Sequence, residues 1–200
     1  ATRAALGALA SLSGTAVTDE QVITRAMLAA GEAVTAIPSH AAHRPGATVA
    51  GAVLARLSGE LTWITFNIGD SRVYLMRDGV LTQMSRDHSQ VQVLIDAGQL
   101  TPDQARRDPR KNVVTRALGA GLNQEAVPDM LSVPAQCGDR LLVCSDGLSD
   151  ELDDEALATV LGAGMRPQRT AEAAVAAALE AGGHDNATAL VVDLVPESAL

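Results

Sequence analysis

Aromatic side chains are almost absent from this sequence, which has one Trp, one Tyr and one Phe among its 200 residues. The hydrophobic fraction is nevertheless 47% and consists mainly of Ala, Val and Leu. A chain of this length can bury one sizeable core, and no second domain is needed. We therefore expect residues 1–200 to form a single domain with a closely packed aliphatic core.

Cysteine and lysine are scarce, and long apolar runs are missing. Cys137 and Cys144 are too few for a disulfide scaffold or a zinc site, so we expect a reducing, cytoplasmic location. Lys111 is the only lysine among 15 basic residues. Since no apolar run reaches the roughly 20 residues that span a bilayer, we expect no membrane contact from this segment. The net charge of −9 argues against nucleic acid as a partner, because phosphate backbones are bound by clustered Lys and Arg.

Hydrophobic periodicity places helices at both ends of the chain and strands in the middle. The predicted helices are 1–12, 18–37, 89–98, 101–107, 153–162 and 168–181. The predicted strands are 47–58, 61–69, 72–79, 80–85, 129–134, 139–145 and 187–195. We expect the first four strands to form one antiparallel meander. Helices that cover the faces of antiparallel sheets indicate an α+β fold.

Four aspartates lie where predicted strands end or begin: Asp70, Asp146, Asp150 and Asp185. Three of them are next to Gly or Asn, and Asp150 follows Asp146 by four residues. Each alone has a structural explanation, because Asp next to Gly is a turn signal and Asp150 is suited to cap the next helix. Gathered at strand ends, however, carboxylates repel one another unless a hard cation lies between them. Oxygen-only ligands suit Mg²⁺ or Mn²⁺, so the pattern favours a dinuclear metal site.

Six segments then follow one another in a specific order: GATVAGAVL, NIGDSRVYLMRDGVLTQMSRDHS, LIDAGQLTPDQA, RKNVVTRALG, CSDGLSDELDDEAL and GGHDNATALVVDL. Over residues 46–195 they resemble the bacterial type of the PP2C (PPM) family of metal-dependent protein serine/threonine phosphatases. The resemblance implies an α-β-β-α sandwich of two antiparallel sheets flanked by helices. It also implies that metal-activated water hydrolyses phosphoserine and phosphothreonine on proteins.

The resemblance further implies cofactors, partners and site residues. The cofactors are Mn²⁺ or Mg²⁺, as two ions and optionally a third, and the partners are phosphorylated proteins, with Ser/Thr kinases and their substrates. The positions that match metal ligands are Asp146 and Asp185 for the two-metal core and Asp70, Asp150 and again Asp146 for a third, more labile ion. Gly147 and Asn186 match supporting positions, with Asn186 orienting Asp185. No side chain is assigned a covalent catalytic role.

The stretch 89–112 matches the mobile flap of the family, and we expect a flap-like insertion over about residues 89–128. His184, directly before Asp185, is the only histidine that we place near the metals, in a supporting or surface role. His88, at the start of the first predicted flap helix, is not placed there.

The start of the family pattern is not found in this sequence. That pattern opens with an Arg that binds substrate phosphate and an Asp-Gly-x-Gly-Gly turn whose Asp bridges both metals. We therefore expect the N-terminal strands to be missing and the 200-residue chain alone to be nearly inactive. Three explanations stay open: a segment upstream of Ala1, a complementary segment from another chain, or a degenerate homologue used for binding. We favour the first.

Two other functions also stay open. A related phosphatase would act on an anti-sigma-factor antagonist, although IGDSR and the flap-like insertion favour a phosphatase of kinase targets. A pseudophosphatase would use its sheet or flap as a docking surface and would bind no metal pair tightly.

Overall fold

The computed structural model describes residues 1–12, 19–38, 44–119 and 127–196. Its α-helices are α1 (Thr2–Leu9), α2 (Glu20–Thr35), α3 (Gln90–Asp96), α4 (Pro102–Arg106), α5 (Asp146–Ser149), α6 (Asp154–Leu161) and α7 (Pro167–Ala181). A short 3-10 turn, Ala10–Leu12, follows α1. Within the described ranges, none of the helices has both the length and the apolar character that a membrane crossing requires.

The strands of the same ranges are β1 (Gly46–Ala47), β2 (Val49–Leu57), β3 (Glu60–Ile68), β4 (Arg72–Arg77), β5 (Val80–Gln83), β6 (Leu118–Gly119), β7 (Asp129–Pro134), β8 (Arg140–Cys144) and β9 (Ala189–Asp193). All pairs are antiparallel. One sheet has the order β2-β3-β7, a second has the order β5-β4-β8-β9, and β1 and β6 form a two-stranded ladder. The predicted α+β class is confirmed.

The prediction of one meander through residues 47–85 is wrong. Strands β2 and β3 belong to the first sheet, whereas β4 and β5 belong to the second. The chain crosses between the sheets at Gly69, whose φ of 109° is a conformation that glycine adopts without steric penalty. Because this turn directs β4 to the facing sheet, β3 takes β7 as its second neighbour and β4 takes β8.

Helices α1 and α2 cover the outer face of the first sheet. Their buried side chains include Ile23 and Met27, which pack in one cluster with Ile64 and Ile68 of β3. Helix α2 begins after Asp19, whose side chain accepts a hydrogen bond of 3.1 Å from the Val22 N–H. This cap satisfies one of the donors that a helix start leaves unpaired.

Helices α6 and α7 cover the outer face of the second sheet, where Leu157 and Ala174 pack with Leu142 of β8. Between the two sheets a third cluster joins Trp63 of β3 to Leu141 of β8, together with other buried side chains of both sheets. The layers therefore run helix, sheet, sheet, helix, as the family resemblance implied.

The segment between β5 and β7 contains α3, α4 and β6, and its residues 120–126 lie outside the described ranges. Helix α4 begins at a capping box, in which Thr101 accepts from the Gln104 N–H and Gln104 accepts from the Thr101 N–H. Both helices of this segment form where they were predicted. The segment lies over one end of the second sheet, which is where the aspartates are found.

Candidate metal centre

The register of the second sheet brings three loops to the same end. One row of paired residues crosses this end of the sheet: Arg72 of β4, Cys144 of β8 and Ala189 of β9. Asp70 precedes β4, Asp146 follows β8 and Asp185 precedes β9, so all three lie near this row. Asp150 ends the single helical turn of α5, which begins at Asp146. The four predicted aspartates therefore belong to one region of the molecule.

These carboxylates influence one another electrostatically. Burial raises the pKa of Asp70 to about 6, and the negative charge of Asp146 adds to the rise, followed by those of Asp87 and Asp150. Burial also raises the pKa of Asp146, with the charges of Asp150 and Asp185 acting in the same direction. Since both effects disfavour the charged form, a cation among these groups would remove the repulsion.

Neighbouring backbone groups orient two of the carboxylates. The Gly147 N–H donates a hydrogen bond of 2.9 Å to Asp146 Oδ1, and the Asn186 N–H donates one of 2.6 Å to Asp185 Oδ1. Gly147 also lies against the Asn186 carbonyl, and a Cβ on Gly147 would approach that oxygen to 2.5 Å. The absence of a side chain at Gly147 thus lets the Asp185 loop pack on the start of α5.

Further contacts fasten this loop to the segment that carries Asp146. The Ser145 hydroxyl accepts from the Thr188 N–H at 3.0 Å and donates to the Asn186 carbonyl at 3.2 Å. The Glu151 carboxylate lies 2.8 Å from Nδ1 of His184 and accepts from the His184 N–H at 3.3 Å. His184 therefore contacts the α5 segment, and its side chain is largely exposed.

The segment between β5 and β7 closes over the aspartates. Lys111 Nζ lies 2.8 Å from Asp150 Oδ2, and Arg106 donates a hydrogen bond of 3.2 Å to the Asp150 carbonyl. A cavity of about 500 Å³ lies between this segment and the sheet end, and Asp70, Asp146 and Asp150 are among its lining residues. Asp185, whose charge acts on Asp146, is not among them.

The sequence analysis missed an ion pair whose two residues line the cavity. Arg72 donates from Nε and Nη2 to the carboxylate of Asp87, at distances of 2.6 to 3.0 Å, and from Nη1 to the Tyr74 hydroxyl at 3.0 Å. Gln83 donates to the same carboxylate at 3.1 Å. The local signals, GDSR and RDHS, were present in the sequence, but nothing in them indicates that the two segments pair.

A comparison with protein families decides the membership of this chain. A family model described as "Protein phosphatase 2C" matches residues 1–181. The chain belongs to the protein phosphatase 2C family. The likeness in sequence extends to named members, among them serine/threonine protein phosphatase PstP of Mycobacterium tuberculosis, which is 44% identical over 131 residues. That match covers 64% of this chain and 24% of PstP.

Other phosphatase 2C relatives agree. Serine/threonine phosphatase stp of Listeria monocytogenes is 35% identical over 148 residues, which cover 74% of this chain and 56% of the relative. A crystal structure of Mycobacterium tuberculosis PstP/Ppp superposes with a TM-score of 0.86 at 34% identity and covers 98% of this chain and 81% of that one. A structure of the PstP catalytic domain in complex with two manganese ions superposes with a TM-score of 0.83 at 33% identity. That match covers 98% of this chain and 80% of the other. The chain spans about a quarter to about a half of the length of the curated relatives.

The donor groups of this phosphatase 2C chain fit a hard divalent cation in their chemistry, because they are carboxylates that repel one another. In the part of the chain that the structure describes, no three Asp, Glu, His or Cys side chains form a ligand group by themselves. Magnesium commonly binds through one or two carboxylates and retains several water ligands. A partial protein ligand set therefore agrees with such an ion.

Proposed function

We propose that the protein hydrolyses phosphoserine and phosphothreonine esters on proteins with Mn²⁺ or Mg²⁺ as the cofactor. One observation carries this proposal: Asp70, Asp146 and Asp150 converge on a single cavity, where burial and mutual repulsion raise the pKa of the first two. The relatives named above are serine/threonine phosphatases, and one was crystallised with two manganese ions. Their names do not favour an anti-sigma-factor antagonist phosphatase or a binding module.

Within this proposal, the metal ligands are Asp146 and Asp185 for two ions and Asp70, Asp150 and again Asp146 for a third. Bound divalent ions lower the pKa of a water molecule and neutralise phosphoryl oxygens. The protein holds the ligands: Gly147 donates to Asp146, Asn186 donates to Asp185, and the bare Cα of Gly147 admits the Asp185 loop. Gly147 and Asn186 thus act as supporting residues.

Three cationic side chains line the cavity, and two of them belong to the flap. The lining cations are Arg72, Arg106 and Lys111, of which Arg72 is committed to Asp87 and Tyr74. Arg106 and Lys111 are therefore the better placed to attract a phosphate. In the free protein both contact Asp150, so an arriving phosphate competes with that residue for them.

The wider assignments follow from the same activity. Residues 1–200 form one phosphatase domain with a flap-like insertion over about 89–128. Phosphorylated proteins are the substrates, and serine/threonine kinases and the proteins that they modify are the partners. The reaction takes place in the cytoplasm, in keeping with the free thiols of Cys137 and Cys144. The net charge of −9 disfavours nucleic acid.

The test is an assay of the full-length protein on a phosphothreonine peptide with Mn²⁺. We expect EDTA to abolish turnover and Asp146→Asn to lower kcat on the order of 100-fold or more, because a group that binds the activating ion is lost. Asp78→Asn, in the β4-β5 hairpin, is the matched control and should leave kcat unchanged. Turnover that survives EDTA or Asp146→Asn contradicts the proposal.

A further inference from the structure

His88 is buried directly behind the turn that carries Asp70, with only 4% of its surface exposed. Its backbone N–H donates to the Gly69 carbonyl at 2.8 Å, and the Gly69 N–H donates to His88 Nδ1 at 3.0 Å. These two bonds close a ring between His88 and Gly69. The turn has little freedom on its other side, because the space beside the Gly69 Cα is filled by Thr48.

The hydrogen bond from Gly69 determines which tautomer the imidazole adopts. Since Nδ1 accepts, the neutral ring carries its proton on Nε2. Nε2 is buried and lies 3.2 Å from Asp129 Oδ2, without the alignment of a hydrogen bond. Asp129 Oδ1 in turn lies 2.6 Å from Arg116 Nη1. One ring nitrogen thus faces the Asp70 turn. The other faces a charged pair, formed by Asp129 of β7 and Arg116 of the flap.

The backbone around His88 joins the same turn to the returning part of the flap. The Thr115 N–H donates to the His88 carbonyl at 2.8 Å, and the Gln90 N–H donates to the Val113 carbonyl at 2.9 Å. An isolated bridge pairs Ser89 with Val114. His88 is therefore the point at which the Asp70 turn and the flap segment meet.

We propose that His88 is a positioning residue: it holds the Asp70 carboxylate towards the cavity through Gly69 and ties that carboxylate to the flap. This inference rests on the proposed metal-dependent function, since Asp70 is useful there as a ligand. Residues that orient ligands without binding the ion typically change metal affinity by about 10- to 100-fold when they are replaced.

Two variants of similar size separate the two sides of the imidazole. Asparagine places its side-chain oxygen close to the position of Nδ1 and can accept from Gly69, whereas glutamine reaches the position of Nε2 and cannot. For the full-length protein we expect His88→Asn to bind Mn²⁺ within about threefold of wild type in calorimetry. We expect His88→Gln to weaken the binding of the most labile Mn²⁺ by about tenfold or more.

Hydrogen exchange of the Gly69 amide is the second readout and needs no metal. In EDTA, this amide should exchange at about the wild-type rate in His88→Asn and about tenfold faster in His88→Gln, since one hydrogen bond is lost. Asp129→Asn, which leaves the Gly69 bond intact, is the control and should exchange like wild type. Melting temperatures of all variants verify that each is folded.

The outcomes decide between the possibilities. Equal Mn²⁺ affinity and equal Gly69 exchange in the two His88 variants overturn the proposal, as does a stronger effect of His88→Asn. If His88→Gln does not fold, His88→Asn alone decides. Weakened Mn²⁺ binding and fast Gly69 exchange in His88→Asn overturn the proposal, whereas wild-type values of both support it. If wild type binds no Mn²⁺, the proposed function fails, while slow Gly69 exchange in His88→Asn and fast exchange in His88→Gln still support the positioning role.

Discussion

Asp70 is the residue in which the electrostatics of the site are most visible. Its side chain is almost buried, yet it lies in the field of three other carboxylates, and its pKa rises from 3.8 to about 6. A backbone hydrogen bond stabilises its charge, but burial and the neighbouring charges outweigh that effect. The unfavourable electrostatics of this carboxyl therefore favour a functional explanation.

The raised pKa of Asp70 makes stability depend on pH. Between the unfolded pKa of 3.8 and the folded pKa of about 6, the folded state binds more protons than the unfolded state. The contribution of this group to stability therefore falls as pH rises through that window, by up to about 3 kcal/mol. In EDTA, urea unfolding should show that Asp70→Asn is more stable than wild type at pH 7. At pH 4 this difference in the free energy of unfolding should be smaller. A difference that is the same at both pH values contradicts the assignment.

Gly147 is the position where a missing Cβ lets two loops meet. Gly147→Ala places a methyl group 2.5 Å from the Asn186 carbonyl, so the Asp185 loop must move. We expect a loss of about 1–3 kcal/mol in the free energy of unfolding, together with weaker Mn²⁺ binding. The control is Gly7→Ala in α1, where no atom lies within 4 Å; it should stabilise the helix by about 0.5–1 kcal/mol. Equal effects of both substitutions would rule out this packing explanation.

At the scale of elements, two of the contacts that attach the flap to the core lie close to the aspartates. Residues 113–115, on its returning part, are bonded to the His88 segment, and its helical part reaches Asp150 at the end of α5 through Arg106 and Lys111. The second attachment involves a Lys111 side chain that is 38% exposed and an Asp150 side chain that is 31% exposed. Such an ion pair is weak, on the order of 1 kcal/mol or less, so the helical part is the easier one to release.

The Lys111→Met substitution should release this attachment without unfolding the domain. We expect faster hydrogen exchange in α3 and α4 and a change of less than about 1 kcal/mol in the free energy of unfolding. Arg110→Met is the matched control, because Arg110 pairs with Asp108 inside the flap. If the two variants exchange alike, Lys111 does not hold the flap.

At the scale of the whole molecule, local patterns predicted most elements but not their neighbours, and the short α5 and β6 were not predicted. Hydrophobic periodicity and turn residues predicted the strand-end aspartates and the helices at both ends of the chain. These signals depend only on residues that are adjacent in sequence. The crossing of the chain from the first sheet to the second could not be predicted in this way. The pair Gly69-Asp70 is compatible both with a hairpin turn and with a crossing between sheets. Only pairing with β7 and β8, which are distant in sequence, distinguishes the two.

The same limit explains the site residues that the sequence analysis missed. His88 reads as a polar residue before a helix, and its burial against Gly69 arises from the return of the chain beneath the β3-β4 turn. The pairs of Arg72 with Asp87 and of Lys111 with Asp150 likewise join segments that are 15 and 39 positions apart. The family motifs contain these residues, but contacts across such separations are set by tertiary packing.

Aspartates from several strand ends should bind divalent cations jointly, and calorimetric titration of the full-length protein with Mn²⁺ measures this binding. We expect wild type to bind at least two ions and Asp146→Asn to lose most of that affinity, whereas the Asp78→Asn control binds as wild type does. A wild-type protein that binds no Mn²⁺, or an Asp146→Asn variant that binds it equally well, would contradict the account.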